Sequence, residues 1–155
     1  MQPLSLDRSS SLPTGHPAVC VHPMTANDIP EVIDLLRRFP AVAYCDWENE
    51  ELLAQILTQS PASSFVAHDG TRVIGAIISG TMGMRATINH LAVDQEYRSQ
   101  GIGDALVAHA LASFRAAGIH RVFLFVLRDQ PGARRFWKKN RFVEIVGEVT
   151  MERDI

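Results

Sequence analysis

The hydrophobic and polar positions of the chain follow two periods, which predict helices and strands in a mixed order. Residues 29–36 and 47–57 carry apolar side chains three and four positions apart, as amphipathic helices do. Residues 64–68 and 72–79 are apolar runs separated by Asp69-Gly70, a dipeptide typical of a tight hairpin turn. Further strands are predicted at 19–22, 85–93, 122–127 and 142–152, and further helices at 102–116 and 132–139.

The resulting order, β-α-α-β-β-β-α-β-α-β, indicates an α+β fold in which helices pack on a mixed sheet. Residues 1–18 are rich in serine and proline and have no sustained period, so we expect a flexible N-terminal extension there. Residues 19–155 are then predicted to form one domain, which suits a chain of 155 residues.

Composition and charge narrow the classes of function. The chain is 46% hydrophobic and 21% charged with a formal net charge of −2, so no global charge favours nucleic acid or a membrane as partner. No apolar run approaches the ~20 residues of a membrane helix, and no signal peptide is evident at the N-terminus. Cys20, Cys45 and the histidines lack metal-ligand spacing. We therefore expect a cytoplasmic protein that holds no metal.

The most informative segment joins a predicted strand to a predicted helix. Residues 94–100 are polar, and Gly101 and Gly103 stand where the helix begins. The first amides of a helix lack partners within it and lie at the positive end of its dipole, and glycines let a phosphate approach the backbone. These properties suit a pyrophosphate, although a tight turn with a closely packed helix start would use the same glycines. The glycine series of dinucleotide-binding folds and the P-loop pattern are both incomplete.

The wider segment resembles the acetyl-CoA signature of the GCN5-related N-acetyltransferase (GNAT) superfamily. Arg98-Ser99-Gln100-Gly101-Ile102-Gly103 follows Leu91-Ala92-Val93, and residues 88–107 match the family pattern without a gap. The resemblance implies a mostly antiparallel sheet with a splayed central strand pair. It also implies that the backbone of residues 98–104, through Asp104, holds the CoA pyrophosphate and that residues 91–93 lie along the pantetheine arm.

Residues 133–142 resemble the closing motif of the same family. Gln130 stands where an asparagine contacts pantetheine, and Asn140 stands where a glycine ends the helix. Phe136 is either a core residue or one that packs against CoA. Trp137 replaces a tyrosine that protonates the leaving thiolate, and an indole cannot act as that acid. The Phe-Trp pair, with the His-Leu-Ala-Val strand end, resembles a subset of the superfamily.

The general base that removes the amine proton has to be sought on the strand 85–93. Thr87 occupies the position of a glutamate that some family members use, and threonine cannot serve as a base. Asn89 and His90 are the remaining candidates for catalysis on this strand. Alternation places Asn89 and His90 on opposite faces unless a bulge intervenes. His90 is suited to proton transfer, but a histidine that is hydrogen-bonded within the sheet is the simpler interpretation.

The connection between the first two helices shapes the acceptor pocket in the family. Here it contains Tyr44, Asp46 and Trp47. Asp46 is suited either to pair with a cationic amine or to cap the second helix. The basic residues of the last helix either contact CoA phosphates or form a solvated face. They are Arg134, Arg135, Lys138, Lys139 and Arg141.

The resemblance therefore implies transfer of an acetyl group from acetyl-CoA to a small-molecule or peptide amine by direct attack in a ternary complex. A non-catalytic acyl-CoA-binding module of the same fold and a nucleotide-phosphate binder are the alternatives. The fold is compatible with a homodimer, and neither nucleic acid nor membrane is expected as a partner.

Overall fold

Antiparallel pairing dominates the sheet of this protein, whose computed structural model describes residues 18–39, 45, 48–60 and 62–153. Two compact units are present, Met1–Phe125 and Val126–Ile155. In the described part of the first unit, five strands pair in the order β1-β2-β3-β4-β5. The strands are β1 Val19–Pro23, β2 Phe65–Asp69, β3 Arg72–Met82, β4 Arg85–Val93 and β5 Val122–Phe123.

Three helices of the first unit are α1 Ile29–Arg37, α2 Glu50–Gln59 and α3 Ile102–Ala116. Short 3-10 turns at Ala26–Asp28 and Gln95–Tyr97 precede α1 and α3. The predicted hairpin at Asp69-Gly70 is confirmed, because β2 ends and β3 begins around a two-residue turn in which Gly70 has φ +61°. None of the described helices is long and apolar enough to cross a membrane.

The α2 helix begins at a residue whose side chain accepts a hydrogen bond from the first turn. The amide of Leu52 donates to Asn49 Oδ1 over 3.0 Å, so Asn49 is the N-cap. This residue lies three positions after Asp46, the predicted alternative cap. Asp46 and the predicted helix start at Trp47 lie outside the described residues, as does Tyr44 and nearly all of the proposed extension at 1–18.

The two faces of the sheet are covered by different helices. The apolar side of α1 packs with sheet residues Val66, Ala76 and Ile78 in one buried cluster. Gly75, one position from Ala76, instead approaches the first turns of α3. Because neighbouring strand residues point to opposite faces, α1 covers one face of the sheet and α3 covers the other.

The last two strands of the sheet part almost as soon as they meet. β5 runs parallel to β4, and its ladder contains only Ala86↔Val122 and Thr87↔Phe123. The predicted strand over 122–127 is therefore too long, because it ends at Phe123. From residue 88 onward β4 has no β5 partner among the described residues. This is the splayed pair that the family resemblance implies.

The second unit contains α4 Pro131–Lys139. Trp137 makes edge-on contacts with Phe136 and Phe142 at ring distances of 5.0 and 5.2 Å. Arg134 and Lys138 reach Glu144 over 2.7 and 3.0 Å, and their hydrogen bonds lower the pKa of that carboxyl. Arg134 and Lys138 thus share a carboxylate partner in Glu144.

Two residues share the end of α4. Asn140 has φ −82° and caps the helix through its side chain, whose Nδ2 donates to Phe136 O over 3.0 Å. The left-handed backbone that is common after a helix is adopted by the next residue, Arg141, with φ +66°.

The strands predicted at 142–152 are wrong, because none of these described residues lies in a strand. Their apolar side chains are largely exposed, with Val143 at 84% and Val149 at 85%. An apolar alternation alone does not make a strand, since the backbone also needs a partner for its hydrogen bonds.

Candidate functional site

The loop between β4 and α3 is shaped by two residues with left-handed backbone. After the 3-10 turn Gln95–Tyr97, Ser99 has φ +60° and Gly101 has φ +82°. Gly101 is the N-cap of α3, and nothing lies within 4 Å of the position that a Cβ would take there. The loop therefore leaves open space directly in front of the helix start.

The first amides of α3 lie next to this space and have no acceptor among the residues that the structure describes. The first hydrogen bond of the helix runs from Ala105 N to Gly101 O over 3.0 Å. The amides of Ile102 and Gly103 precede it, and no residue in the described part of the chain accepts from them. Because they also lie at the positive end of the helix dipole, they form a site for an anion.

The carboxylate of Asp94 holds the beginning of this loop. Its Oδ2 lies 3.0 Å from Arg38 and 2.7 Å from Arg72, and its Oδ1 accepts from the Glu96 amide over 3.1 Å. Burial by itself would raise the pKa of Asp94. The Glu96 amide and the two guanidinium groups outweigh burial, so the pKa lies below its ordinary value of 3.8.

Two further contacts fix the loop to the sheet. The hydroxyl of Tyr97 donates to the Asp69 carboxylate, and this hydrogen bond raises the pKa of Tyr97. Arg98 Nε donates to Val93 O over 3.1 Å, and its guanidinium lies 4.5 Å from the centre of the Phe39 ring. The Arg98 amide donates to Gln95 O over 3.4 Å, so both the side chain and the amide of Arg98 stabilise the loop.

A glycine on β3 sets how closely α3 can approach the sheet. A Cβ at Gly75 would lie 3.1 Å from Ile102 Cγ2 and 3.2 Å from Leu106 Cδ1. Both of these side chains are buried in the first turns of α3. The position of the anion-binding amides thus depends on the missing side chain at residue 75.

A cleft of about 270 Å³ lies on the α1 and α2 side of the sheet. Its apolar part is formed by Leu52 and Ile56 of α2 and Ile78 of β3, and its polar part includes Asn89 and His90 of β4. The bulge that could bring these two polar residues to one side is present. Ile78 pairs with His90 and Ser79 pairs with Ile88, so Asn89 is the extra residue.

The cleft also contains a carboxylate that the sequence interpretation did not select. Glu48 Oε1 lies 2.7 Å from His90 Nε2, and both residues line the cleft. The available signal was an acidic residue in the same connection as Asp46, the residue selected instead. The contact itself joins residues 42 positions apart, and no local pattern predicts such a pair.

The remaining predicted residues fall in three places. Leu91, Ala92 and Val93 form the end of β4, beyond its ladder with β5 and next to the glycine loop. Thr87 is a neighbour of the bulge, and its hydroxyl donates to Asn89 Oδ1 over 3.2 Å. Gln130 and Phe136 belong to the second unit.

Metal ligation has no support in the described ranges, since they contain no group of three or more His, Cys, Asp or Glu side chains arranged to hold an ion.

Comparison with solved structures shows the fold. The chain is similar to Ard1 from Thermoplasma volcanium, with TM-score 0.71, 26% identity and coverage of 81% of this chain and 82% of that one. It is similar to an aminoglycoside acetyltransferase from an uncultured soil metagenomic sample in complex with sisomicin, with TM-score 0.70, 24% identity and coverage of 88% and 96%. It is also similar to a chain of the NatC complex bound to Gag peptide and CoA, with TM-score 0.71, 18% identity and coverage of 82% and 86%.

Sequence comparison points to the same class of protein. An acetyltransferase from Sodalis glossinidius is 29% identical over 118 residues, which cover 73% of this chain and 79% of that protein. The family model described as the acetyltransferase (GNAT) family matches residues 29–142. This match contains the glycine loop, the bulged strand and α4. The chain belongs to the acetyltransferase (GNAT) family.

Proposed function

We propose that this protein transfers an acetyl group from acetyl-CoA to a primary amine of a small molecule, peptide or protein, by direct attack in a ternary complex. The observation that carries the proposal is that the amides of Ile102 and Gly103, beside the open space at Gly101, have no acceptor in the described part of the chain. Membership of an acetyltransferase family supplies the reaction class.

The residues of the loop fit the pyrophosphate of CoA. We propose that the backbone of residues 98–104 binds it, with Gly101 leaving room for the phosphates. The nearby carboxylate of Asp94 accepts from two guanidinium groups, so its charge is balanced. The end of β4 at 91–93 would hold the pantetheine arm. When bound, acetyl-CoA supplies the thioester that is attacked.

The reaction forms one bond and breaks another. The neutral amine nitrogen attacks the thioester carbonyl carbon, the C–S bond breaks, and CoA leaves as a thiolate. The amine loses one proton, which we assign to His90 directly or through water. Asn89, the bulge residue beside it, is suited to orient the amine through its carboxamide. The thiolate takes a proton from water, because Trp137 has no acidic group.

The lining of the cleft indicates which amines can enter. Besides the aliphatic wall it contains the carboxamides of Asn49, Gln55 and Gln59 and the carboxylate of Glu48. Among its described lining residues there is no lysine or arginine to bind an anionic group. This charge balance favours neutral or cationic acceptors. Of the structural neighbours, one was solved with the aminoglycoside sisomicin and another with a peptide. Both a small-molecule amine and a peptide amine therefore stay candidates for the acceptor.

The test is an acetylation screen with acetyl-CoA and an amine panel that contains aminoglycosides, polyamines and peptides with free N-terminal amines. Products are identified by mass and thiol release is followed in parallel. We expect an acetylated product from at least one class. CoA binding without turnover on any amine would favour the non-catalytic module instead. Competition of ATP with CoA would favour a nucleotide-phosphate site.

We further infer that residues 19–155 act as one catalytic domain, that the protein works in the cytoplasm and that it associates as a homodimer. Size-exclusion chromatography with light scattering tests the dimer, and cell fractionation tests the compartment. An N-terminally shortened chain that starts at residue 19 should retain the acetylation rate of the full chain.

A further inference from the structure

We propose that a cluster of buried hydroxyls positions the acceptor cleft without touching the acceptor. This serine cluster consists of Ser60, Ser63, Ser64 and Ser79, and it holds the end of α2 against β3, opposite the bulge of β4. None of the four residues lines the cleft. The inference rests on the proposed acetyl transfer, because it concerns how the acceptor amine is placed for attack.

The strand β3 loses one of its neighbours just before the bulge. Its ladder with β2 ends at Phe65↔Ile77, because β2 begins at Phe65. The next residues of β3 still pair with β4, and Ile78 and Ser79 lie on either side of the bulge. Ser79 is fully buried, so its backbone groups need partners other than β2.

Side-chain hydroxyls take the place of the missing strand. The Ser79 amide donates to Ser64 Oγ over 3.0 Å, and the same hydroxyl donates to Ser79 O over 3.1 Å. Ser63 Oγ lies 2.9 Å from Ser79 O, and the Ser79 hydroxyl donates to Ser63 O. Ser63 is 4% exposed and Ser64 is 1% exposed. Little water competes for these hydrogen bonds, and a lost partner would leave a buried polar group unsatisfied.

The same segment fastens the end of α2. Ser60 is the C-cap of this helix, and its amide donates to Ile56 O over 2.9 Å. Its hydroxyl accepts from the Thr81 amide over 3.1 Å, two residues beyond Ser79 on β3. Ile56 and Gln59 belong to the last turn of α2 and line the cleft. The hydroxyl contacts therefore set where this wall of the cleft lies relative to β3.

Both walls of the cleft thus depend on the serine cluster. Asn89 and His90 belong to β4, whose bulge lies against Ile78 and Ser79. The aliphatic wall belongs mostly to α2. A shift of Ser79 would move the bulge relative to α2, and a displacement of about 1 Å in a reacting geometry can cost a large factor in rate. The hydroxyls support the site from outside it, as the groups behind a substrate-binding surface do.

A role in stability alone is the alternative. A variant that is partly unfolded has fewer active molecules, so its kcat and its number of CoA sites fall together while the KM for the amine stays the same. A displaced cleft instead lowers kcat/KM for the amine per bound CoA in a chain that is fully folded. The two roles therefore separate when turnover is referred to the number of CoA sites.

The experiment compares Ser64→Ala with Ser113→Ala on the acceptor that the amine panel yields, at a temperature where circular dichroism shows both variants to be folded. Ser113 is the matched control, because its hydroxyl donates to Ala62 O of the same segment from α3 and it does not line the cleft. We expect Ser64→Ala to lower kcat/KM for the amine about tenfold. Its Kd for CoA should stay within about twofold of the native value, since the glycine loop is fixed by contacts of its own. Ser113→Ala should match the native chain.

A second measurement needs no turnover. In the CoA-free protein, amide proton–nitrogen spectra should show the signals of residues 88–90 displaced in Ser64→Ala and unmoved in Ser113→Ala. If Ser64→Ala does not fold, Ser63→Ala replaces it in both measurements, because that change removes one contact with Ser79 O and retains the reciprocal pair with Ser64.

Three results would overturn the proposal: an unchanged kcat/KM in the serine variant, a loss that Ser113→Ala shares, or signals of residues 88–90 that do not respond. A CoA affinity that falls as much as kcat/KM would also overturn it, since the disturbance would then be general. Absence of turnover by the native chain would overturn the proposed function, whereas turnover that is indifferent to Ser64 would overturn this inference alone.

Discussion

The Arg72 guanidinium lies 2.7 Å from Oδ2 of Asp94, at the place where β3 begins and β4 has just ended. Arg38, which follows α1, reaches the same oxygen over 3.0 Å. Asp94 is buried, with 6% of its side chain exposed, whereas both arginines are about half exposed. One carboxylate thus connects α1, the β3–β4 hairpin and the turn that leads to the glycine loop.

Asp94→Asn removes the charge that both arginines share. We expect the free energy of unfolding to fall by about 1–2 kcal/mol, because the exposed arginines regain water while the buried acceptor is weakened. The Kd for CoA should rise by about tenfold, since the loop loses its fixed start. Chemical denaturation and calorimetric titration with CoA measure both effects. Glu96→Gln, a change at an exposed neighbour, serves as the control, and an equal loss in that variant would contradict the role of Asp94.

The same residue predicts a pH dependence of stability. Its pKa is lowered in the folded chain, so the fold favours the ionised form. This contribution is complete above the unfolded pKa of about 3.9 and is lost as pH falls through the lower folded pKa. The difference in unfolding free energy between the native chain and Asp94→Asn should therefore be constant above about pH 5 and shrink below about pH 4. Denaturant titrations at each pH measure it, and a difference that stays constant into acid would exclude this account.

Gly75→Ala tests the contact between β3 and α3. The new Cβ would lie 3.1 Å from Ile102, so the first turn of α3 must move. We expect a loss of about 1–3 kcal/mol of stability together with weaker CoA binding. Gly80→Ala is the matched control on the same strand, because its Cβ would meet only Ser60, at 3.4 Å or more. Unchanged CoA affinity in Gly75→Ala would show that the amides do not depend on this packing.

Gly101→Ala tests the loop conformation without filling space, since nothing lies within 4 Å of the added Cβ. The backbone at φ +82° becomes strained by about 1–2 kcal/mol, and the loop should relax away from the geometry that presents its amides. CoA affinity, measured by calorimetry, should fall. Ser99→Gly, at φ +60°, relieves strain and should retain affinity. Equal affinities in the two variants would contradict a role for the left-handed turn.

Trp137→Phe tests whether α4 supplies the proton to the leaving thiolate. Phenylalanine retains an aromatic contact with Phe136 and Phe142 and removes the only polar atom of the side chain. We expect kcat to stay within about twofold of the native value, because indole has no useful acidity. A loss of kcat with a normal melting temperature would reveal a role for the indole N–H.

The sequence predicted the elements whose signals are local. The hairpin at Asp69-Gly70, the apolar side of α1 and the glycine start of α3 depend on residues close together in the chain, and each is present. The lengths of the last strands were not predictable in this way. A strand exists only where a partner accepts its backbone groups, which the alternation at 142–152 does not reveal.

The contacts in the cleft were also not predictable from the local sequence. His90 was a candidate from the sequence because of its residue type. Whether it faces the same side as Asn89 depended on a bulge, and its carboxylate partner Glu48 lies 42 positions away in the chain. Both are properties of tertiary packing. They determine which groups surround His90, and neither can be predicted from the residues next to it in the sequence.

The brief parallel ladder between β4 and β5 has one more consequence. Since only two residue pairs join these strands, the edge of β4 beyond Thr87 has no β5 partner among the described residues. A slender molecule that carries amide groups can enter as a substitute strand and gain main-chain hydrogen bonds while breaking none between β4 and β5. Binding along this edge would therefore depend on the shape and polarity of the ligand, because no hydrogen bond between β4 and β5 has to break there.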